Sequence, residues 1–478
     1  MTGDRVEALD DASDGRMLAF RALQRLEEHG QFIQDSLLVL APAGSSVRSQ
    51  ERALAVDVAS GTVRRRSTLD ALLQNVITRP AEKVERDLWL LLRLGAWQVV
   101  FGRMPDHAAV DTTVRMCQAL GQPRWTGFVN GVLRNLLRLL TADFVDQPAE
   151  DAVPLDNGAY RRLNRSVFPS PETSRVAYAS VGFALPAELA KRWAERFEGD
   201  DLWQLCRQTL LPPTISIRVN SLRSDVESVR EALLGAGVRV SAATVPAGAI
   251  SARAVSGVAV PNCLRLEDSG RIDRLPGFSD GCWSIQDEAA MQAALLLAPQ
   301  PGETILDLCA APGGKTTHLA ELSQDKARIF ACDVNRRRIE QIQQSVERLK
   351  LTSVTVTQIS RDGRGIPDHS YDAVLVDVPC SNTGVLNRRP EARWRFSEEA
   401  IADLTDQQVT LLIRAMQRVR PGGRVVYSTC SIEPDENQAV VQAALRFVRG
   451  FALASEQFFL PGQPADGAYQ ALLVKRDQ

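Results

Sequence analysis

Two thiols and one glycine-broken loop are the parts of this chain best suited to chemistry. Cys380 closes the phrase Asp377-Val-Pro-Cys380, and Cys430 lies in Ser428-Thr-Cys-Ser431. The flanking runs, Tyr371 to Pro379 and Arg424 to Ser431, read as buried strands, so both thiols stand at strand ends. A free thiol ionises near pH ~8.5, so a nucleophile at either place needs local stabilisation from nearby arginines or a helix N-terminus. A strand-end cysteine taken alone is more often a small buried hydrophobe. The loop is Thr304-Ile-Leu-Asp-Leu-Cys-Ala-Ala-Pro-Gly-Gly-Lys-Thr-Thr317. Thr304 to Ala310 reads as a buried strand carrying one acid, Asp307; Pro312, Gly313 and Gly314 break it, and Lys315 to Leu322 resumes with helical spacing. Strand, glycine turn and helix N-terminus place backbone N–H groups at the carboxyl end of a sheet, which suits a carboxylate or a nucleotide. A Walker loop needs a glycine where Cys309 stands, and a dinucleotide fingerprint needs three spaced glycines; neither is present.

The elements that must hold these residues alternate between strand and helix. Ala327 to Val334 is a strand ending on Asp333, where an acid suits two hydrogen bonds from ribose hydroxyls. A helix over Arg337 to Lys350 and a strand over Val354 to Ser360, beside Asp362, come next. The Asp377 strand, a helix over 405–420, the Cys430 strand and a helix over Glu436 to Arg449 follow, and Tyr469 to Lys475 closes the sheet. This pattern predicts an α/β domain with a mainly parallel sheet. Its loop resembles the cofactor loop of S-adenosyl-L-methionine-dependent methyltransferases, and that resemblance implies a Rossmann-like core over 276–478.

The chain has 478 residues, 45% hydrophobic and 24% charged, which predicts a multidomain soluble protein with large cores. The polar, acidic start MTGDRVEALDDASDGR argues against a secretory signal. The most apolar window, Leu88 to Val100, is too short for a bilayer and carries Arg93, so a cytoplasmic protein with no membrane partner is expected. Eight scattered cysteines without a C-x-x-C pair, and four histidines, fit neither a metal site nor a disulfide framework. Cys309 and Cys332 are expected in the core, with Cys117, Cys206, Cys263 and Cys282 structural. Residues 16–143 read as all-helical and hold 17 Arg or Lys against 12 Asp or Glu, a balance of +5. Residues 381–395 carry Arg388, Arg389, Arg393 and Arg395 against Glu391, a balance of +3. Such patches can neutralise phosphates, although solvated helix faces give the same pattern. Residues 144–180 read as a linker with little structure. Residues 181–275 read as a small α+β domain, with helices to Leu211, a strand over Thr214 to Asn220, a helix opened by a capping box of Ser224 and Glu227, and two further strands. Ser284 to Glu288 heads a helix expected to border the cofactor pocket.

Longer phrases sharpen this. MPDHAAVDTTVRMCQALGQPRWTGFVNGVLRNLLRLL resembles the NusB-like RNA-binding domain at the front of small-subunit ribosomal RNA methyltransferases of the Nop2/Sun family. Asp377 to Gly384 with Arg388 to Arg395 resembles that family's substrate motif, and Tyr427 to Asn437 its second cysteine motif. The stretch before the core resembles its RRM-like subdomain, except around Ala177 to Leu185; Asn382 stands where relatives carry a small residue, and Gly467-Ala-Tyr469 lacks their aromatic pair. The resemblance implies a cytosine-C5 RNA methyltransferase acting on 16S ribosomal RNA, with no stable protein partner. By that resemblance Cys430 is the nucleophile, Cys380 assists release, and Asp377 binds the cytosine edge. The backbone of Cys309, Ala310, Ala311, Pro312, Gly313, Gly314 and Lys315 would hold the methionine end of the cofactor, Asp333 its ribose and Asp362 its adenine. In cytosine-C5 enzymes acting on DNA the Pro-Cys thiol attacks, so Cys380 rivals Cys430. A transfer RNA substrate, or a non-catalytic assembly factor with a vestigial cofactor fold, are the competing readings.

Overall fold

The computed structural model describes residues 14–42, 45–244, 259–360, 363–462 and 465–477. It forms two compact units: Met1–Pro212 with Leu386–Arg395, and Pro213–Val385 with Phe396–Gln478.

The first unit opens with helices α1 (Gly15–His29), α2 (Ile33–Leu40), α3 (Ser49–Arg64), α4 (Arg66–Val76), α5 (Arg86–Phe101), α6 (Asp106–Ala119) and α7 (Thr126–Leu139). Helix α5 is apolar almost all round and buried from Leu88 to Leu92, as a central helix must be. Helix α7 buries one stripe, Val129, Val132, Leu133, Leu136 and Leu139, and turns Arg134 and Arg138 outward. The expected linker is instead ordered. Strands β1 (Leu140–Val145), β2 (Ala152–Pro154) and β3 (Tyr160–Leu163) form an antiparallel sheet in the order β1-β3-β2. Helix α8 (Arg175–Gly182) follows. An aromatic cluster anchors this region: Tyr178 packs edge-on against Phe168, Phe183 and Trp203 at 5.4–6.3 Å between ring centres. Helices α9 (Ala187–Arg196) and α10 (Gly199–Gln208), expected in the α+β domain, belong to this unit. The prolines at 148, 154, 169 and 171 suggested a linker, but aromatic burial decides the outcome.

The second unit begins with strand β4 (Ile215–Val219), helix α11 (Val226–Gly235) and strands β5 (Arg239–Thr244), β6 (Ala259–Glu267) and β7 (Trp283–Ile285), paired antiparallel in the order β5-β6-β4-β7. The helix cap falls one residue later than expected: Asp225 accepts from the Ser228 N–H at 2.9 Å, a charged acceptor displacing the neutral Ser224. Alternation along β4 sends Ile217 and Val219 into a core with Val229, Leu233 and Trp283, and Ser216 and Arg218 to the other face.

Helix α12 (Glu288–Leu297) leads into β8 (Thr304–Leu308), α13 (Gly314–Leu322), β9 (Arg328–Asp333), α14 (Arg336–Leu349), β10 (Val354–Gln358), β11 (Tyr371–Asp377), α15 (Glu398–Arg418), β12 (Val419–Thr429), α16 (Gln438–Phe447), β13 (Phe451–Phe459) and β14 (Ala468–Lys475). The sheet order is β10-β9-β8-β11-β12-β14-β13, parallel through β12, with β14 and β13 antiparallel at one end. Strands β8 and β11 are buried along most of their length inside it, which explains their apolar runs.

Candidate active site

After β8 the chain runs outward to β9 and β10, then returns to place β11 on the other side of β8. This reversal opens a crevice at the carboxyl ends of β8 and β11, where ligands of such sheets sit. The register pairs Leu308 with Val376 and Asp377 with Ser428. The loop at 309–313, Asp377, Cys380 and Cys430 therefore meet at three adjacent strand ends.

The loop is fixed by its own backbone. Ala310 N–H donates to Cys332 O at 3.0 Å, and Gly313 N–H to Ala310 O at 2.8 Å. Gly313 has φ 101°, and a Cβ there would stand 3.3 Å from the Ile342 backbone; Cys309 takes the same left-handed region at φ 67°. At Gly314 a Cβ would meet nothing within 4 Å, so the loop faces open space. Asp333 is buried at the end of β9 and accepts from Ala311 N–H at 3.2 Å and Asn335 N–H at 3.0 Å. Asp307 is fully buried; one oxygen accepts from Thr316 Oγ1 at 2.6 Å, the other has no partner among the described residues, and burial raises the pKa of its carboxyl to about 7. Lys315 turns from the loop to Asp377, with Nζ 2.7 Å from Oδ2. Burial alone would lower the Lys315 ammonium; the Asp377 charge and hydrogen bond outweigh it and raise it. Asp333 and Asp377 against one ammonium, with the part-ionised Asp307 buried behind them, leave this crevice negative, and with the space at Gly314 it fits a cationic ligand. Asp362 lies outside the described residues. Cys309 and Cys332 have their thiols raised by burial, Cys332 to about 12, which makes them inert.

The two candidate thiols are brought together: Cys380 Sγ lies 3.2 Å from Cys430 Sγ. Their settings differ. The hydrogen bond with Cys430, burial, and the charges of Cys430 and Glu436 raise the Cys380 thiol well above its ordinary range. Cys430 faces Asn382 Oδ1 at 3.4 Å and lies near enough to Lys315 for the two charges to interact. Where an arginine or helix terminus was expected, the cation near Cys430 is Lys315, from the 309–315 loop.

Glu436, fully buried, ties the two cysteine loops together. It accepts from Ser381 N–H at 2.8 Å, from the Ser381 and Ser431 hydroxyls, and from Gln408 Nε2 at 2.9 Å. Gly384 N–H donates to Cys430 O at 3.0 Å, and a Cβ on Gly384 would lie 2.8 Å from that oxygen and 2.3 Å from Gly467 O. Sequence reasoning missed Glu436 although it stands inside the quoted 427–437 phrase, because nothing in a carboxylate's spacing says that it faces another loop. It also missed Arg218, which reaches from β4 to Glu321 at 2.7 and 2.8 Å, Thr317 Oγ1 at 3.0 Å and Gly314 O at 3.0 Å. This cation fixes the first turns of α13 behind the loop. Glu288, expected at the pocket rim, is buried in a pair with Arg265 at 2.6 and 2.7 Å.

Among the 381–395 arginines, Arg393 needs correction. Residues Leu386–Arg395 are part of the first unit. Arg393 is fully buried there and donates to the carbonyls of Arg64, Phe183, Ala184, Thr209, Leu386 and Pro390 at 3.0–3.3 Å. Burial lowers it to about 9, and a side chain so enclosed meets no phosphate.

A crevice of this kind beside paired thiols defines a class of group-transfer enzyme, and sequence comparison narrows it. Residues 294–472 match the family model "16S rRNA methyltransferase RsmB/F", and residues 13–138 match the NusB family. "Ribosomal RNA small subunit methyltransferase B" of Salmonella newport (strain SL254) is 30% identical over 473 residues, covering 96% of this chain and 98% of that protein. Its counterpart in Sodalis glossinidius (strain morsitans) is 32% identical over 476 residues, covering 97% and 98%. The chain belongs to the 16S rRNA methyltransferase RsmB/F family. In fold it is similar to the crystal structure of PH0851, with a TM-score of 0.74 at 24% identity, covering 98% of this chain and 99% of that one. It is also similar to NSun6 from Pyrococcus horikoshii with SFG, with a TM-score of 0.52 at 20% identity, covering 62% and 100%. Among the described residues no helix is long and apolar enough to cross a membrane.

Proposed function

We propose that this chain methylates carbon 5 of a cytosine in small-subunit ribosomal RNA, through a covalent bond from Cys430 to carbon 6, in the cytoplasm where that RNA is assembled. The observation that carries the reading is the 3.2 Å pair of sulfurs beside the Lys315–Asp377 ion pair. S-adenosylmethionine, when bound, supplies an electrophilic methyl group on a positively charged sulfur. Asp333 would take its ribose hydroxyls, the 309–315 backbone its methionine end and Asp362 its adenine edge, while the negative crevice favours its charge.

Carbon 5 of cytosine is a poor nucleophile. The Cys430 thiolate adds to carbon 6, and the ring electrons displaced toward carbon 5 make that carbon enamine-like and able to take the methyl group. Lys315 steadies the thiolate, and the Cys380 S–H can donate to it. Lys315 occupies Asp377 Oδ2; among the described residues no group bonds Oδ1, which is left for the cytosine edge. A base then removes the carbon-5 proton, the electrons of that C–H bond re-form the ring double bond, and the Cys430–carbon 6 bond breaks to return the thiolate. Cys380, next to Cys430, serves this release.

The assay is tritium transfer from labelled cofactor to ribosomal RNA, with denaturing electrophoresis of the protein. Cys430→Ala should be inactive and form no adduct. Cys380→Ala should transfer the methyl group and accumulate a protein–RNA adduct. The reverse pattern exchanges the roles, and no transfer by the unaltered chain would favour a non-catalytic assembly factor. Equal transfer to transfer RNA would move the substrate.

A further inference from the structure

The first unit contains a cavity of about 390 Å³, a size that suits one nucleotide. Its wall joins helices α1, α3, α4 and α5 to the 391–395 segment, and Leu23 and Leu90 make part of it apolar. Four arginines and two glutamates line it, so it is basic. Three of those arginines are engaged. Arg93 pairs with Asp70 and Glu27 at 2.7 and 3.1 Å, Arg86 with Glu27 at 2.9 Å, and Arg395 lies 3.9 Å above the Phe32 ring. Arg66 is different: its guanidinium lies over the Trp394 ring, but among the described residues no carboxylate lies within ion-pair distance of it.

Two further groups complete the cavity. The Trp394 ring is fixed by its Nε1–H donating to Val63 O at 2.9 Å, with Arg66 5.3 Å from the ring centre. Glu391 is buried; Oε1 accepts from Ile33 N–H at 3.0 Å, and among the described residues no donor meets Oε2. A fixed aromatic face, a cation with no carboxylate partner and a spare carboxylate oxygen match a base, a phosphate and an exocyclic amine. An acidic peptide would use the cation alone.

We propose that this cavity takes one nucleotide of single-stranded RNA, its base against Trp394, its phosphate on Arg66 and its exocyclic amine on Glu391. Adenine would satisfy Glu391 and uracil would not. The inference rests on the reading of the chain as an RNA enzyme, and places a second, non-reacting contact in the first unit.

Binding of short oligo(rA) and oligo(rU) to the full chain, followed by fluorescence anisotropy over a salt series, tests it. Neither oligomer contains cytosine, so the reacting site is not what is read. Oligo(rA) should bind about tenfold more tightly than oligo(rU), the worth of one base-edge hydrogen bond to a charged acceptor. In Glu391→Gln that preference should collapse. Arg66→Ala should weaken both oligomers and flatten the salt dependence by about 0.7 in log–log slope, one single-strand phosphate contact. Ultraviolet crosslinking of unaltered protein to 8-azidoadenosine-labelled oligo(rA) should mark the peptide containing Trp394. No preference in the unaltered chain, an unchanged salt slope in Arg66→Ala, or no mark on that peptide each overturns the proposal. Methyl transfer to ribosomal RNA on the same preparations separates the failures: transfer without these effects sinks only the cavity, and effects without transfer sink only the catalytic reading.

Discussion

Replacing Glu436 with Gln tests whether the carboxylate that joins the cysteine loops governs their chemistry. The amide keeps the shape. Its oxygen can still accept from Ser381 N–H and Gln408 Nε2, and its NH2 can donate to the Ser381 and Ser431 hydroxyls if they reverse. What is lost is charge: hydrogen bonds to a charged group contribute about 1.5–3 kcal/mol and neutral ones about 0.5–1.5. Four bonds weakened in this way, at about 1 kcal/mol each, cost about 4 kcal/mol, largely offset because a buried charge no longer needs desolvating. The variant should therefore fold, with its melting point a few degrees lower. Catalysis should suffer more than stability, because loops displaced by a fraction of an ångström misalign two sulfurs acting on one base; a fall in kcat of about 10- to 100-fold is expected. The Glu436 charge also helps to raise the Cys380 thiol, so its removal should move Cys380 alkylation to lower pH. Iodoacetamide labelling resolved by peptide mass spectrometry reads that profile, and tritium transfer reads kcat. An unmoved profile together with wild-type kcat would refute the reasoning.

The cofactor crevice makes further demands. If Asp333 holds the ribose as proposed, Asp333→Ala should cost about 3 kcal/mol of cofactor affinity by calorimetry, at about 1.5 kcal/mol or more for each of two bonds; unchanged affinity in a folded variant would exclude the ribose role. Burial raises Asp307 to about 7, so cofactor affinity should rise as pH passes upward through about 7 and the acid ionises beside a cation; Asp307→Asn should flatten that rise. Without ligand the sign reverses. The unfolded chain releases this proton near its ordinary 3.8 and the folded chain near 7, so stability should decline as pH rises between them, as melting curves would show. Gly384→Ala places a methyl group against Gly467 O and Cys430 O and should lower kcat with little effect on cofactor binding; equal kcat would show that the loop yields freely.

The catalytic sheet was legible because its strands are buried on both faces and its strand-end residues are chemically distinct. Asp333, Asp377, Cys380 and Cys430 could be placed at strand ends from apolar runs alone. The antiparallel end was only half seen: β13, with Ala-Ser-Glu-Gln inside it, has no apolar run to announce it. Boundaries in the front half were misread for another reason. Prolines mark a linker only when nothing nearby buries the backbone, and Tyr160, Phe168, Tyr178 and Phe183 do so here. Nor does sequence order reveal that 386–395 packs in the first unit. A cut near Leu185, natural from the sequence, would strip Arg393 of the carbonyls of Arg64, Phe183 and Ala184. Arginine counting failed at the same place, since a buried guanidinium and a phosphate-binding one are written alike.

The question of which thiol attacks stayed open in the sequence, because both cysteines end strands and both sit in family-like phrases. What each one faces supports the proposed assignment. Cys380 faces two sources of negative charge, Cys430 and Glu436, whereas Cys430 has the Lys315 ammonium near it. With the sulfurs 3.2 Å apart, the Cys430 contact, burial and the Glu436 charge all hold the proton on Cys380. The same contact bears on the release step of the proposed reaction. Once Cys430 is bonded to carbon it is no longer an anion, and the strongest influence holding the proton on Cys380, its hydrogen bond to Cys430, is gone. Only burial and Glu436 then oppose ionisation of Cys380. Its acidity therefore rises when the adduct exists, which is when a neighbouring base is needed to clear carbon 5. A single fixed pair of sulfurs can thus serve attack and release in turn, with the change of role set by the bond that Cys430 makes and breaks.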